Sequence, residues 1–144
     1  MPLWVQQGYQ DYAKRMPREC ELLLKEIAPG SRGKNSDIAR IVRDEGERML
    51  QAVPPGAHPV ALDLAGKTWS TAELAEALKR WLVSGQHIAL LVGGPDGLSE
   101  AARRSARESW SLSRLTFPHP LVRIIVAEQI YRAWSLLHHH PYHR

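Results

Sequence analysis

Apolar and polar positions along the chain switch between two periods. Short, mostly apolar runs at 22–27, 60–64 and 88–92 have the length and bounding turns of buried strands. Between them the spacing becomes helical. Trp4, Val5, Tyr9, Tyr12 and Ala13 predict a helix over 2–15 that ends before Pro17. From Ser36, a candidate N-cap, the positions Ile38, Ile41, Val42, Met49 and Leu50 predict a second, closed near Pro54-Pro55-Gly56. Ser70 or Thr71 caps a third, with Glu73 in its first turn, Leu74, Ala77, Leu78, Trp81 and Leu82 on one face, and Gly85 at its end. Ser99 opens a polar helix to about residue 108, residues 112–117 are extended or looped, and Pro120 starts a last helix reaching about Leu137.

Strands separated by helices predict an α/β fold with a largely parallel, buried sheet. Ligands in such folds bind where strands end. The strand Ile88–Val92 runs straight into Gly93-Gly94-Pro95-Asp96-Gly97, and glycines at a strand end expose backbone N–H and C=O groups to close approach. That loop reads equally as a tight turn leading into the next helix. It lacks the G-x-G-x-x-G spacing of a dinucleotide site and the Gly-Lys-Ser/Thr of a P-loop. A second polar loop, 111–116, also precedes a long apolar helix. Two such loops facing each other would form a small-molecule pocket.

Composition narrows the class. A chain of 144 residues, 44% hydrophobic and 24% charged, is expected to be one globular domain over 1–144. No apolar run approaches the ~18 residues of a membrane span. Met1-Pro2-Leu3-Trp4 shows no secretory pattern, and the single cysteine, Cys20, excludes an internal disulfide, so a cytoplasmic setting is expected. The net charge of +4 is compatible with a nucleic-acid partner without requiring one.

Individual residues carry two readings each. Arg32, Lys34 and Arg40 form either a solvated face or contacts to RNA phosphates. His119, between two prolines, is either the first residue of a helix or a catalytic group. His138, His139, His140 and His143 have zinc-like spacing, but no cysteine or carboxylate joins them and no metal is expected. Trp110 and Trp134 read as core or interface residues rather than base-stacking ones. The last helix is apolar on more than one face, as a helix covered by its own sheet and by a partner subunit would be.

Taken in order, Arg32-Gly33-Lys34-Asn35, Leu62-Asp63, Gly66-Lys67, Gly93-Gly94-Pro95-Asp96-Gly97-Leu98, Leu112-Ser113, Leu115-Thr116-Phe117-Pro118-His119, Arg123, Glu128-Gln129, Tyr131-Arg132-Ala133 and Pro141-Tyr142-His143-Arg144 resemble the H family of ribosomal RNA large-subunit methyltransferases, within the SPOUT methyltransferases. The resemblance covers almost the whole chain. It implies a SPOUT-type α/β fold with a C-terminal trefoil knot, a homodimer, and S-adenosylmethionine as methyl donor. The implied reaction is methylation of N3 of a pseudouridine in 23S rRNA, on the ribosome. The donor is expected at Leu62, Gly93, Gly94, Leu112, Ser113, Arg114, Leu115, Thr116 and Phe117, and the RNA at Arg32 and Lys34. Loss of the imide proton calls for a base or a cation, for which His143, Arg144, Tyr142 and His119 are the candidates. Family members usually begin with a strand ahead of the segment matching Met1–Val5, so this sheet is expected to lack it. The alternative is a non-catalytic nucleotide- or RNA-binding α/β protein of the same fold.

Overall fold

The computed structural model describes residues 1–143; Arg144 lies outside them. They form two compact units. The first comprises residues 25–68 and 86–114; the second comprises 1–24, 69–85 and the chain from 115 onward.

The first unit holds the sheet. Helix α2 (Ile38–Ala52) is followed by β1 (His58–Thr68), β2 (Ile88–Val92), the short α4 (Glu100–Ser105) and β3 (Glu108–Ser111). The strand order is β2-β1-β3 and both pairings are parallel. Ala61, Leu91, Leu98 and Ala102 form the core of this unit, with Met49, Val53, Ala89 and Ala106 packed on it. The α2 helix approaches the start of α4 closely because residue 46 is glycine: a Cβ there would sit 2.6 Å from the Ser99 Cβ. Asp37, one residue after the expected Ser36, caps α2 by accepting from the Arg40 amide at 3.2 Å.

The second unit is helical. In it α1 (Leu3–Ala13) and α3 (Thr71–Ser84) pack on α5 (His119–Leu137). Val5, Tyr9, Leu74, Leu78, Trp81, Ala127, Ile130 and Ala133 are buried. Ser70 and Glu73 form the reciprocal capping box anticipated for α3, and Gly85 ends that helix in the left-handed conformation at φ 71°.

Three expectations need correction. The run 22–27 joins no strand of the sheet and has no regular secondary structure, and Leu23 and Leu24 are exposed. Apolar composition alone does not make a strand, since a ladder partner must satisfy its backbone groups. The polar helix after Ser99 stops at Ser105 rather than near residue 108. The Arg107 amide donates to the Pro59 carbonyl at 2.9 Å, which draws the chain alongside β1 and starts β3 where a helix end was expected. Finally, β1 runs on to Thr68 instead of stopping at Leu64, with a register break between Leu62 and Lys67.

Candidate functional site

The parallel register brings three strand positions to one level. Leu62 of β1 pairs with Val92 of β2 on one side and with Trp110 of β3 on the other. Directly after these residues the chain leaves the ladder three times: at Asp63–Gly66, at Gly93–Gly97 and, one residue beyond Trp110, after Ser111. Leu62, Gly93, Gly94, Leu112, Ser113 and Arg114 therefore depart from the same end of the sheet.

Each departure has its own local support. Asp63 accepts from the Ala65 amide at 3.2 Å, and its carboxylate holds the Arg103 guanidinium, Nε to Oδ2, at 3.1 Å. Gly94-Pro95-Asp96-Gly97 is a tight turn closed by the Gly97 amide donating to the Gly94 carbonyl at 3.0 Å, with Gly97 at φ 81°. Proline second and glycine last suit such a turn. The buried Ser111 hydroxyl donates to the Ser113 carbonyl at 2.9 Å and bends the chain around Leu112.

The two glycines of the second departure do different things. A Cβ on Gly93 would strike the backbone carbon of Gly97 and lie 2.6 Å from the Leu98 amide nitrogen. A Cβ on Gly94 would meet nothing nearer than Glu45 Oε1 at 4.0 Å. Gly93 keeps the loop folded on itself, while Gly94 is exposed and leaves open space beside it.

Arg32 and Lys34, two residues apart, have contrasting surroundings. Arg32 donates from Nε to Asp96 at 2.8 Å, from Nη1 to Glu45 at 2.9 Å and to the Gly30 carbonyl at 3.1 Å, and from Nη2 to Glu45 at 3.0 Å. Those hydrogen bonds hold Glu45 below the usual carboxylate range and raise the Arg32 guanidinium above its ordinary value. Lys34 is exposed in the turn closed by the Ser36 amide on the Gly33 carbonyl.

The remaining candidates belong to the helical unit. Leu115 and Thr116 are exposed and Phe117 half-buried, just ahead of α5, and His119 is the exposed first residue of that helix. Beyond the other end of α5, His139 adopts φ 55° and the His140 amide returns to the Ser135 carbonyl at 2.8 Å. The turn Pro141–His143 is thereby folded back on α5. The Tyr142 hydroxyl donates to Glu128 Oε1 at 3.2 Å, and the same oxygen accepts from Arg132 Nε at 2.8 Å. Its ring lies 4.7 Å from that of Tyr131, with the Arg132 guanidinium 5.2 Å and the Arg15 guanidinium 5.8 Å from its centre. Burial, the hydrogen bond with Tyr12 and the Glu128 charge push the Tyr142 phenol up to about 12. His143 Nδ1 is buried and has no hydrogen-bond partner among the described residues. A spacing of nine helical positions, about 13 Å of axis, separates His119 from the Glu128 that Tyr142 reaches. His119 and Tyr142 therefore stand at different levels along α5.

Asp63, Arg103, Glu45 and Asp96 were not singled out from the sequence as site residues. Asp63, immediately after Leu62 at a strand end, and Asp96, inside the glycine loop, carried a local signal; Glu45 and Arg103 carried none. Among the described residues no three His, Cys, Asp or Glu side chains gather as a metal set, and no helix is long and apolar enough to cross a membrane.

Comparison with known proteins identifies the family. The family model described as "Predicted SPOUT methyltransferase" matches residues 1–143. A curated relative from Methylococcus capsulatus (strain Bath), named "Ribosomal RNA large subunit methyltransferase H", is 69% identical over 144 residues, spanning all of this chain and 93% of the relative. An α/β chain with a parallel three-stranded sheet, matched from end to end by that family, is a member of the SPOUT methyltransferases.

Proposed function

We propose that this chain is an rRNA methyltransferase that moves a methyl group from S-adenosylmethionine to N3 of a pseudouridine in 23S rRNA, acting on the ribosome. Family membership and the name of the 69% identical relative support the reaction class. The observation that carries the site is the single level of Leu62, Val92 and Trp110, from which three loops leave together.

The residues there suit this donor. Gly94 leaves open space at a strand end, where backbone groups can hydrogen-bond an adenine edge or a ribose. Half-buried Leu62 and Leu112 offer apolar walls for the ring. Asp63 and Arg103 supply one charge of each sign, matching the ammonium and carboxylate of the amino-acid end. When bound, the donor supplies an electrophilic methyl on sulfur: the N3–C bond forms as the C–S bond breaks, the thioether leaves, and the imide proton is released.

The chain's own work is alignment and proton removal. In-line displacement depends on holding nitrogen, carbon and sulfur together, so rigid loops contribute much of the rate. The phenol of Tyr142 is neutral at pH 7 and serves as a hydrogen-bond donor rather than as a base. His143, whose buried Nδ1 has no hydrogen-bond partner among the described residues, serves as the base, and Arg144 supplies the cation for the developing imide anion. His119, about half the length of α5 from Glu128, acts on substrate held by the other protomer of a homodimer. Lys34 contacts rRNA phosphate. The domain spans 1–144 and carries the family's knot.

The test is calorimetric titration with S-adenosylmethionine, followed by transfer of labelled methyl to ribosomes containing or lacking the pseudouridine. Donor binding with transfer only to pseudouridine-containing ribosomes is expected. A folded protein that binds ribosomes but neither binds nor spends the donor would instead be an RNA-binding module.

A further inference from the structure

The Gly94–Gly97 turn is held from outside by a residue far from it in sequence. Asp96 is the third residue of that turn, and its Oδ2 accepts from Arg32 Nε at 2.8 Å across a sequence separation of 64. Arg32 is itself immobilised. Its two terminal nitrogens grip both oxygens of Glu45, in mid-α2, at 2.9 and 3.0 Å, and Nη1 also reaches the Gly30 carbonyl. Glu45 is fixed in turn by the Gly30 amide at 2.7 Å. The Arg32 side chain is 22% exposed, against 73% for Arg40 on the same unit. Four of the five guanidinium N–H groups are thus committed, which leaves a phosphate one donor unless this network breaks.

We infer that Arg32 is a positioning residue for the methyl-donor loop, clamping the Gly94–Gly97 turn to α2 through Asp96 and Glu45, rather than a phosphate ligand for RNA. The inference rests on the donor-site reading above. The forked, planar guanidinium is the side chain that can hold one carboxylate with two nitrogens while its Nε holds another. Lysine, with a single ammonium, keeps the charge and loses that geometry. The exposed Lys34, two residues on, is left, among the described residues, as this loop's free cation toward RNA.

The test compares wild type with Arg32→Lys and Asp96→Asn in the full chain. Three quantities are measured: S-adenosylmethionine affinity by calorimetry, hydrogen exchange of the Gly97 amide without donor, and the salt dependence of ribosome binding. Losing the charge-assisted bond to Asp96 is expected to weaken donor affinity about tenfold in Asp96→Asn and to speed Gly97 exchange by a similar factor, with effects at least as large in Arg32→Lys, which also loses the fork on Glu45. The double variant should be no worse than Arg32→Lys alone, since the Arg32–Asp96 contact is already lost there. The slope of ribosome affinity with salt should stay at its wild-type value. Asp96→Asn keeps the test sharp if Arg32→Lys folds poorly. Wild-type donor affinity and exchange in both variants, or a shallower salt slope in Arg32→Lys, overturns the inference while leaving the donor site standing. Absence of donor binding by the wild-type protein overturns the donor-site reading and this inference with it.

Discussion

Gly66 passes so close to Ser109 that a Cβ would sit 2.7 Å from the Ser109 carbonyl carbon and 2.8 Å from the Trp110 nitrogen. This contact explains how β1 slips register between Leu62 and Lys67 and still pairs twice with Trp110. The residues displaced by the slip include Asp63, the partner of Arg103. Gly66→Ala is expected to lose about 1–3 kcal/mol through overpacking against backbone that cannot retreat. Thermal melting checks it; an unchanged midpoint would mean that the bulge opens freely.

The same reasoning separates two adjacent glycines. Gly93→Ala would press a methyl into the Gly97–Leu98 backbone, so both stability and donor affinity should fall. Gly94→Ala meets only open space at a position without positive φ, so its melting midpoint should stay near wild type. Its methyl would occupy room assigned to the donor, and S-adenosylmethionine affinity is expected to drop about tenfold or more. Melting curves and calorimetry on the two variants give the comparison. Equal donor affinity in Gly94→Ala and wild type would move the donor elsewhere.

What could be read from the chain divides along sequence distance. The Ser70–Glu73 box, the Gly85 stop and the strand Ile88–Val92 are local patterns and stand where their residues predict them. Strand β3 was hidden because Glu-Ser-Trp-Ser has one large apolar residue and follows a helix-like stretch. Its identity as a strand depends on Val60, Ala61 and Leu62 lying beside it. Arg32 illustrates the same limit: its loop is basic and glycine-rich, which suggests phosphate, whereas its partners Glu45 and Asp96 come from elements that only folding brings near. The glycine loop was visible as a loop, but the division of labour between Gly93 and Gly94 depends on the backbone that each one faces.

Glu45 should set part of the acid limb of stability. Hydrogen bonds from Arg32, opposed by partial burial, and the bond from the Gly30 amide hold its carboxyl below its unfolded value. A group depressed on folding stabilises the native state above its unfolded pKa, about 4.3, and the contribution fades as pH falls through the lower folded value. Unfolding followed from pH 7 to pH 2 should therefore show a loss beginning below about 5. Glu45→Gln, which cannot ionise, should be less stable at pH 7 and should lose less than wild type over that interval. Parallel acid limbs for the two proteins would show that the Arg32 pair contributes nothing to the titration.

Tyr142 offers the opposite sign. Its phenol is pushed up to about 12 by burial, by the bond with Tyr12 and by the nearby Glu128 carboxylate, against an unfolded value of about 10. A raised phenol favours the neutral native state, so its contribution is complete below pH 10 and disappears as pH climbs through 12. The chain has four tyrosines, and burial raises Tyr9 as well. Ultraviolet titration of the phenolate band should consequently show late-ionising tyrosines, and Tyr142→Phe should remove one of them. The same variant keeps the ring beside Tyr131 and loses only the hydroxyl that donates to Glu128. If Tyr142 orders the tail without accepting the imide proton, Tyr142→Phe lowers methyl transfer while the pH-rate profile keeps its wild-type shape. A profile whose basic limb moves with Tyr142→Phe would instead make the phenol a titrating participant in catalysis.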